Sequence, residues 1–321
     1  MKGRKVFEAW SFVRIPPRNR PPASRSLPPV ILLWAVFLLL PSSLCADPFG
    51  DYWYQGKAEI TSYDLEQVRY GEVHPGSAVM IFVTEDFSDE KHVKLDRPER
   101  SPEDAVKVLK LNATRKFNTG IYTYSMMTSV FTPVYADQHP HTLKVTTTSQ
   151  EWCGHTFTQL NRKTNGYRAR QYSYFERESD RDLTWRNGIP EDEIWTRIRL
   201  SPDTLPLGKV KIIPGTIFQR LRHKAWGVFD AVAEKMPNPV DASLETYTIS
   251  YPEFDRVVVI NHKRDFPHEI ESWEEIEFVG RGDDRVEMTT RGTLKKRLMT
   301  AYWRQHNLEH IPLRAELGLD E

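Results

Sequence analysis

The segment Glu151-Trp152-Cys153-Gly154-His155-Thr156-Phe157 gathers an acid, a thiol and an imidazole within one short stretch. Read as a single strand, it places Glu151, Cys153, His155 and Phe157 on one face, with Trp152, Gly154 and Thr156 on the other. A thiol and an imidazole on a shared face form a candidate nucleophile–base pair. Side chains two apart on a strand stand about 7 Å apart and point in parallel, which is long for a hydrogen bond. The plainer reading is a core cysteine beside a hydrogen-bonded histidine, with Glu151 and Trp152 as candidate binding residues. A second cluster is Asp137-Gln138-His139-Pro140-His141. If extended, it projects Asp137, His139 and His141 to one side. Two imidazoles and a carboxylate suit zinc or another transition metal and leave one position open, as catalytic sites do. Pro140 and the polar surroundings point instead to an exposed loop. Such a metal is the one cofactor these residues imply.

Aromatic side chains form a third pattern. Tyr52, Trp53 and Tyr54, then Tyr122 and Tyr124, then Tyr172 and Tyr174 recur at strand spacing. Aromatics so spaced line a sheet face, usually a packed one. A concave aromatic face could hold a lipid or a glycan. Standard enzyme signatures are missing: there is no G-x-S-x-G elbow, phosphate loop, H-E-x-x-H or C-x-x-C.

These residues need a frame. The chain has 321 residues, 39% hydrophobic and 27% charged, which is enough apolar mass for a core. Two cysteines, Cys45 and Cys153, exclude a disulfide scaffold. Residues 30–40, VILLWAVFLLL, are an uncharged apolar run, too short for the about 20 residues a membrane-spanning helix needs. A basic segment precedes the run and a small-residue exit, Ser42-Ser43-Leu44-Cys45-Ala46, follows it. That order describes a signal peptide with a basic N-terminal extension over 1–46, hence export to the periplasm or outer membrane. Cleavage after Ala46 gives a soluble exported chain. Lipidation of Cys45 gives a membrane-associated lipoprotein, although Ser42 and Leu44 make a poor lipobox. An uncleaved anchor is the third course. Removing residues 1–46 takes away seven basic residues and one acid, leaving 37 basic and 43 acidic residues, or about −6. That charge gives no footing for nucleic acid.

Residues 47–321 read as short strands with few helices. Residues 52–87, 106–112, 121–130, 209–213, 256–260, 270–278 and 285–290 carry β-branched and aromatic patterns. Asn165-Gly166 is the strongest hairpin signal, and Pro252-Glu253-Phe254-Asp255 reads as a four-residue hairpin loop. Residues 216–222 read as a further strand. Pro190-Glu191-Asp192-Glu193 opens a helix through Arg199, its early acids suiting the helix dipole. Ser101-Pro102-Glu103-Asp104 looks like a capped helix start, and Leu294, Leu298 and Tyr302 outline a final helix. Helix–strand alternation is absent, so the expected fold is mainly β: an antiparallel curved sheet, half-barrel or barrel with one or two short helices. Residues 202–208 are the best candidate for an internal boundary.

Five stretches, 52–60, 81–87, 117–122, 147–160 and 191–199, resemble a family of uncharacterised exported Bacteroidetes proteins often labelled septum formation inhibitor Maf. Gln150 to Leu160, QEWCGHTFTQL, carries most of the resemblance. It implies bacterial export but no established activity. The label would imply an α/β nucleotide pyrophosphatase with an N-terminal Ser-x-Arg-Arg motif. Ser24-Arg25-Ser26 lacks the arginine pair, and the pattern of the chain is β. The expectation is an exported envelope protein that binds or carries a lipid, a glycan or a protein partner. The alternative is an exported hydrolase using Cys153 and His155, or a metal at Asp137, His139 and His141.

Overall fold

In the computed structural model, residues 47–280 and 282–319 are described, so the expected signal peptide and Cys45 lie outside the described residues. One antiparallel meander follows the first short helix, α1 (Pro48–Trp53). It comprises β1 (Ala58–Arg69), β2 (Glu72–Ser88), β3 (Ala105–Thr119), β4 (Tyr122–Pro133), β5 (Lys144–Glu151), β6 (Gly154–Lys163), β7 (Gly166–Ser173) and β8 (Arg181–Arg186). The chain then restarts at β9 (Ile189–Pro190) and continues through α2 (Asp192–Leu200), β10 (Gly208–Ile213) and α3 (Thr216–Arg222). A second meander returns through β11 (Phe229–Pro237), β12 (Leu244–Tyr251), β13 (Arg256–Lys263), β14 (Ile270–Val279) and β15 (Val286–Thr300), before α4 (Leu313–Glu316).

All fifteen strands form one sheet, in the order β8 to β1, then β15 back to β9. The two meanders join where β1 pairs with β15. Consecutive strands β8 and β9 therefore sit at opposite edges, although Asn187 and Gly188 alone separate them. The sheet has to curl until its edges approach. Side chains seal the seam: Trp185 of β8 stacks on Trp226 at 6.1 Å, and the Trp226 indole N–H donates to Gln171 of β7. No ladder joins the edges, so the sheet is curved and unclosed. Strands on both sides of 202–208 belong to it.

Period-two alternation assigns the faces. On β5, Val145, Thr147, Ser149 and Glu151 are buried, while Lys144, Thr146, Thr148 and Gln150 are more exposed. On β3, Leu109, Leu111, Arg115 and Phe117 are buried opposite Lys110, Asn112, Lys116 and Asn118. On these strands the inner face is the core and the outer face is polar. At the joint of the meanders Trp273 lies directly over its cross-strand partner Gly292, where a Cβ would come within 2.1 Å of the ring. Trp195 of α2 meets the same indole edge to face at 5.6 Å.

The curl encloses α2 and α3, with α2 packed on β3 and β4 and α3 on β4 and β5. With nine and seven residues, neither is long enough to be stable alone. Arginine–carboxylate pairs fix them to the walls. Arg199 of α2 makes a bidentate pair with Glu59 of β1, at 2.5 and 2.7 Å. Glu191, just ahead of α2, accepts two bonds from Arg256 of β13, at 2.6 and 2.8 Å, and one from Tyr251 of β12. Arg222 of α3 pairs with Glu277 of β14, and Arg115 with Glu275 ties β3 to β14 across the interior. The Asp192 carboxylate accepts the Thr216 amide and hydroxyl, both at 3.1 Å, and so caps α3. A cavity of about 40 Å³ remains beside Arg115, Glu191, Asp192, Arg256 and Glu275, enough for a few waters.

Several local expectations are corrected. Thr216–Arg222 is a helix, because Asp192 caps it and its surroundings bury it on nearly every side, overriding the β-branched composition. The stretch holding Leu294 and Leu298 is strand β15. Spacing of four is also an even number, so it keeps side chains on one face of a strand as well as of a helix. Residues 101–104 form a turn into β3, and Tyr52 and Trp53 end α1 rather than begin a strand. Four short α-helices are present among the described residues, against one or two expected. The fold is mainly β and antiparallel as the pattern requires, unlike the α/β fold that the Maf label would carry.

Two predictions follow from the interior. Glu59→Gln leaves Arg199 buried without its counter-charge, and should cost about 3–5 kcal/mol in urea unfolding. Glu59→Gln with Arg199→Met should recover much of that, and a cost below about 1 kcal/mol for the single variant would refute the role given to the pair. Burial, with the neighbouring Glu191 adding to it, pushes Asp192 up to about 7. Its folded value lies above its unfolded one, so its contribution is complete below about pH 4 and is lost as pH rises through about 7. Wild type should therefore lose stability relative to Asp192→Asn between about pH 4 and 7, and parallel curves would refute the assignment.

Candidate functional site

The structure places Trp152 and Cys153 in the two-residue turn between β5 and β6, not within a strand. Cys153 is exposed, so the expectation of a core cysteine is corrected. The turn is held from inside. Glu151 accepts the Cys153 amide at 2.6 Å with one oxygen, and Arg220 of α3 at 3.3 Å with the other. Arg220 in turn lies over the Phe175 ring at 4.3 Å. The acid of the motif is thus an anchor that fixes the turn to the enclosed helix.

The same carboxylate weakens the nucleophile reading. Its hydrogen bond with the Cys153 thiol pushes the thiol above its ordinary value, which disfavours the reactive thiolate. His155 begins the outer face of β6, is exposed, and has no side-chain hydrogen bond among the described residues. Cys153 and His155 meet in another way: both line an open groove of about 860 Å³ on the outer surface.

That groove crosses four strands. Met127 of β4, Thr148 and Gln150 of β5, Phe157 of β6 and Tyr172 of β7 contribute to it, with Tyr174 at its end. Phe157 and Tyr172 are cross-strand partners with nearly parallel rings 6.4 Å apart. Tyr174 lies against Gly154, where a Cβ would stand 2.7 Å from the ring, so glycine is what lets this wall close on the hairpin. Tyr172 and Tyr174 remain 52% and 69% exposed. The platform is on the outer surface rather than a concave one, because helices fill the inside of the curl.

The metal candidates separate. Among the described residues no group of three or more His, Cys, Asp or Glu side chains is placed to hold an ion. Asp137 is exposed in the β4–β5 loop. His139 faces Asp89 at 3.8 Å, whereas His141 faces Glu193 at 3.8 Å and Arg197 at 3.3 Å. The two imidazoles serve different ion networks, and Glu193 also accepts the Thr142 amide at 2.8 Å.

A polar cluster that sequence reasoning missed lies beside the turn. Trp152 approaches Tyr122 at 6.3 Å. The hydroxyl of Tyr122 donates to that of Tyr70 at 3.0 Å, and the Tyr70 and Tyr124 hydroxyls are 2.8 Å apart. Arg69 donates to both Tyr70 and Tyr124. Tyr70 has φ 54°, an uncommon conformation for a bulky residue, in the β1–β2 turn. Partial burial opposes ionisation of its phenol, but the bonds from Tyr122 and Tyr124 and the Arg69 charge outweigh it and lower the value. Tyr122 and Tyr124 were visible as a spaced pair; their partner Tyr70, 52 and 54 positions earlier in the β1–β2 turn, gave no local signal.

No protein-family model matches the chain, and no curated protein does. The resemblance to exported Bacteroidetes proteins and their Maf label therefore stands on the quoted residues alone. Among solved structures, a porin-like protein from Bacteroides uniformis aligns with 75% of this chain and 95% of its own, at 7% identity and a TM-score of 0.19. No helix among the described residues is long and apolar enough to cross a membrane.

The thiol makes a direct test. Cys153 should react with iodoacetamide more slowly than a free cysteine at pH 8, and Glu151→Gln should speed the reaction. Equal rates in the two proteins would refute the control assigned to Glu151.

Proposed function

We propose that this is an exported envelope protein that binds a glycan in the outer groove, without chemistry of its own. The observation that carries the reading is the groove itself: near-parallel Phe157 and Tyr172 rings with Tyr174, set among Ser125, Thr148, Gln150 and Asp180. Flat apolar faces beside hydroxyl and amide groups match the alternation of C–H faces and hydroxyls on a sugar. A lipid chain needs an enclosed apolar tunnel, and the interior cavity of about 40 Å³ cannot take one. A protein partner remains the competing occupant of the groove. The basic segment and apolar run within residues 1–40 support export. The raised Cys153 thiol favours binding over a cysteine hydrolase.

The test is a titration of the purified protein with a panel of bacterial and plant oligosaccharides. One class should bind, with Tyr172→Ala and Tyr174→Ala each weakening it about tenfold or more, or about 1.4 kcal/mol. Cys153→Ala should leave affinity within about twofold. Turnover of any ligand that disappears in Cys153→Ala or His155→Ala would overturn the reading in favour of an enzyme.

A further inference from the structure

The antiparallel order assigns every turn to one of two ends of the sheet. The β1–β2, β3–β4 and β5–β6 turns, with Tyr70, Trp152 and the groove mouth, share one end. The start of β1, the end of β4 and the end of β15 share the other, because Ala58 pairs with Thr300 and Val108 with Pro133. The twelve residues of β1 separate the two ends by up to about 40 Å along the strand.

At that far end a second open groove, of about 510 Å³, collects aromatic side chains from three distant segments: Tyr54 after α1, Tyr135 after β4 and Trp303 after β15. They are 43%, 52% and 43% exposed. Phe49 meets Tyr54 edge to face at 5.7 Å, and the Tyr54 hydroxyl lies close to that of Tyr135. Lys57 and Lys107 line the same groove, and Asp86 pairs with Lys107 at 2.7 Å. Tyrosine and tryptophan with lysine stems is the composition that settles at the boundary between lipid headgroups and acyl chains. The chain itself supplies the second observation. This end holds Asp47, the first described residue, and the sequence just before it carries Cys45 and the apolar run 30–40.

We infer that this aromatic end is a docking surface for a lipid bilayer, and that the preceding segment holds it there. A tether confines the domain to the membrane surface, so contacts too weak to bind alone become sufficient. With Lys107 already paired to Asp86 and Asp47 nearby, the attraction is interfacial rather than electrostatic. The outer groove then opens at the end turned away from the membrane. The inference is independent of what that groove binds.

The test uses the chain purified from the membrane of the expressing cell with Cys45 intact, because Cys45 belongs to the tether, and with a single environment-sensitive fluorophore in a Cys153→Ser background. The label is placed on Trp303→Cys, on Tyr135→Cys or, at the opposite end, on Tyr172→Cys. On addition of neutral phosphatidylcholine vesicles, emission at 303 and 135 should shift to the blue and become accessible to a lipid-borne quencher, while that at 172 stays water-like. The shift should survive high salt. Unchanged emission at 303 and 135 would overturn the inference whether the chain floats with the vesicles or not, and so would equal shifts at all three positions. Retained oligosaccharide binding by the unlabelled Cys153→Ser background shows that such a failure concerns this surface and not the outer groove.

Discussion

The structure depends on charges that have been taken out of water in pairs. Fifteen strands curled around two short helices leave an interior in which Arg199, Arg256, Arg115 and Glu59, Glu191, Glu275 are nearly inaccessible. Each is tolerable only because its partner comes from a different element, with bidentate geometry in two cases. Ordinary packing of Leu, Val and Phe would accept many arrangements of two short helices within such a curl. A carboxylate that must meet one guanidinium accepts one. The pairs therefore set the position of α2 and α3, and through Arg220 and Glu151 the position of the hairpin whose turn is Trp152-Cys153.

Because α2 and α3 fill the inside of the curl, the two open grooves lie on the outer surface and at the rims. The two open grooves are where aromatic side chains escape the core, and they lie at opposite ends of the sheet. One is framed by hydroxyl and amide groups, the other by lysines and tyrosines beside the first described residues. Their different chemistry is what separates the proposed ligand platform from the proposed interfacial anchor.

Much of the sheet was legible because its code is local. Pro252 to Asp255 and the Asn165-Gly166 neighbourhood marked turns that the structure places between β12 and β13 and between β6 and β7. The helix opening at residues 190–193 was legible from its acids and its apolar stripe. What failed depended on distant partners. Thr216–Arg222 needed a cap from Asp192, and Leu294 with Leu298 fitted both periods until β1 decided between them. At the candidate site the segment around Cys153 was the right place to look, but Glu151 gave no sign that its partner would be Arg220, 69 positions away. Tyr70 likewise acquires its partners only when the β1–β2 and β3–β4 turns come together.

The pairing of β1 with β15 has a consequence for how the chain is made. Every other neighbour in the first meander is at most sixteen residues from its partner, so hairpins can form as the polypeptide emerges. β1 alone must wait for residues more than two hundred positions later, and until they arrive its outer edge is open, although Glu59 meets its arginine sooner, at Arg199, 140 positions on. A nascent chain built this way cannot complete its sheet until β15 has been made. Under the export proposed above, where a chain crosses a membrane unfolded, that delay becomes a working property: the full sheet forms only once β1 and β15 stand in the same compartment.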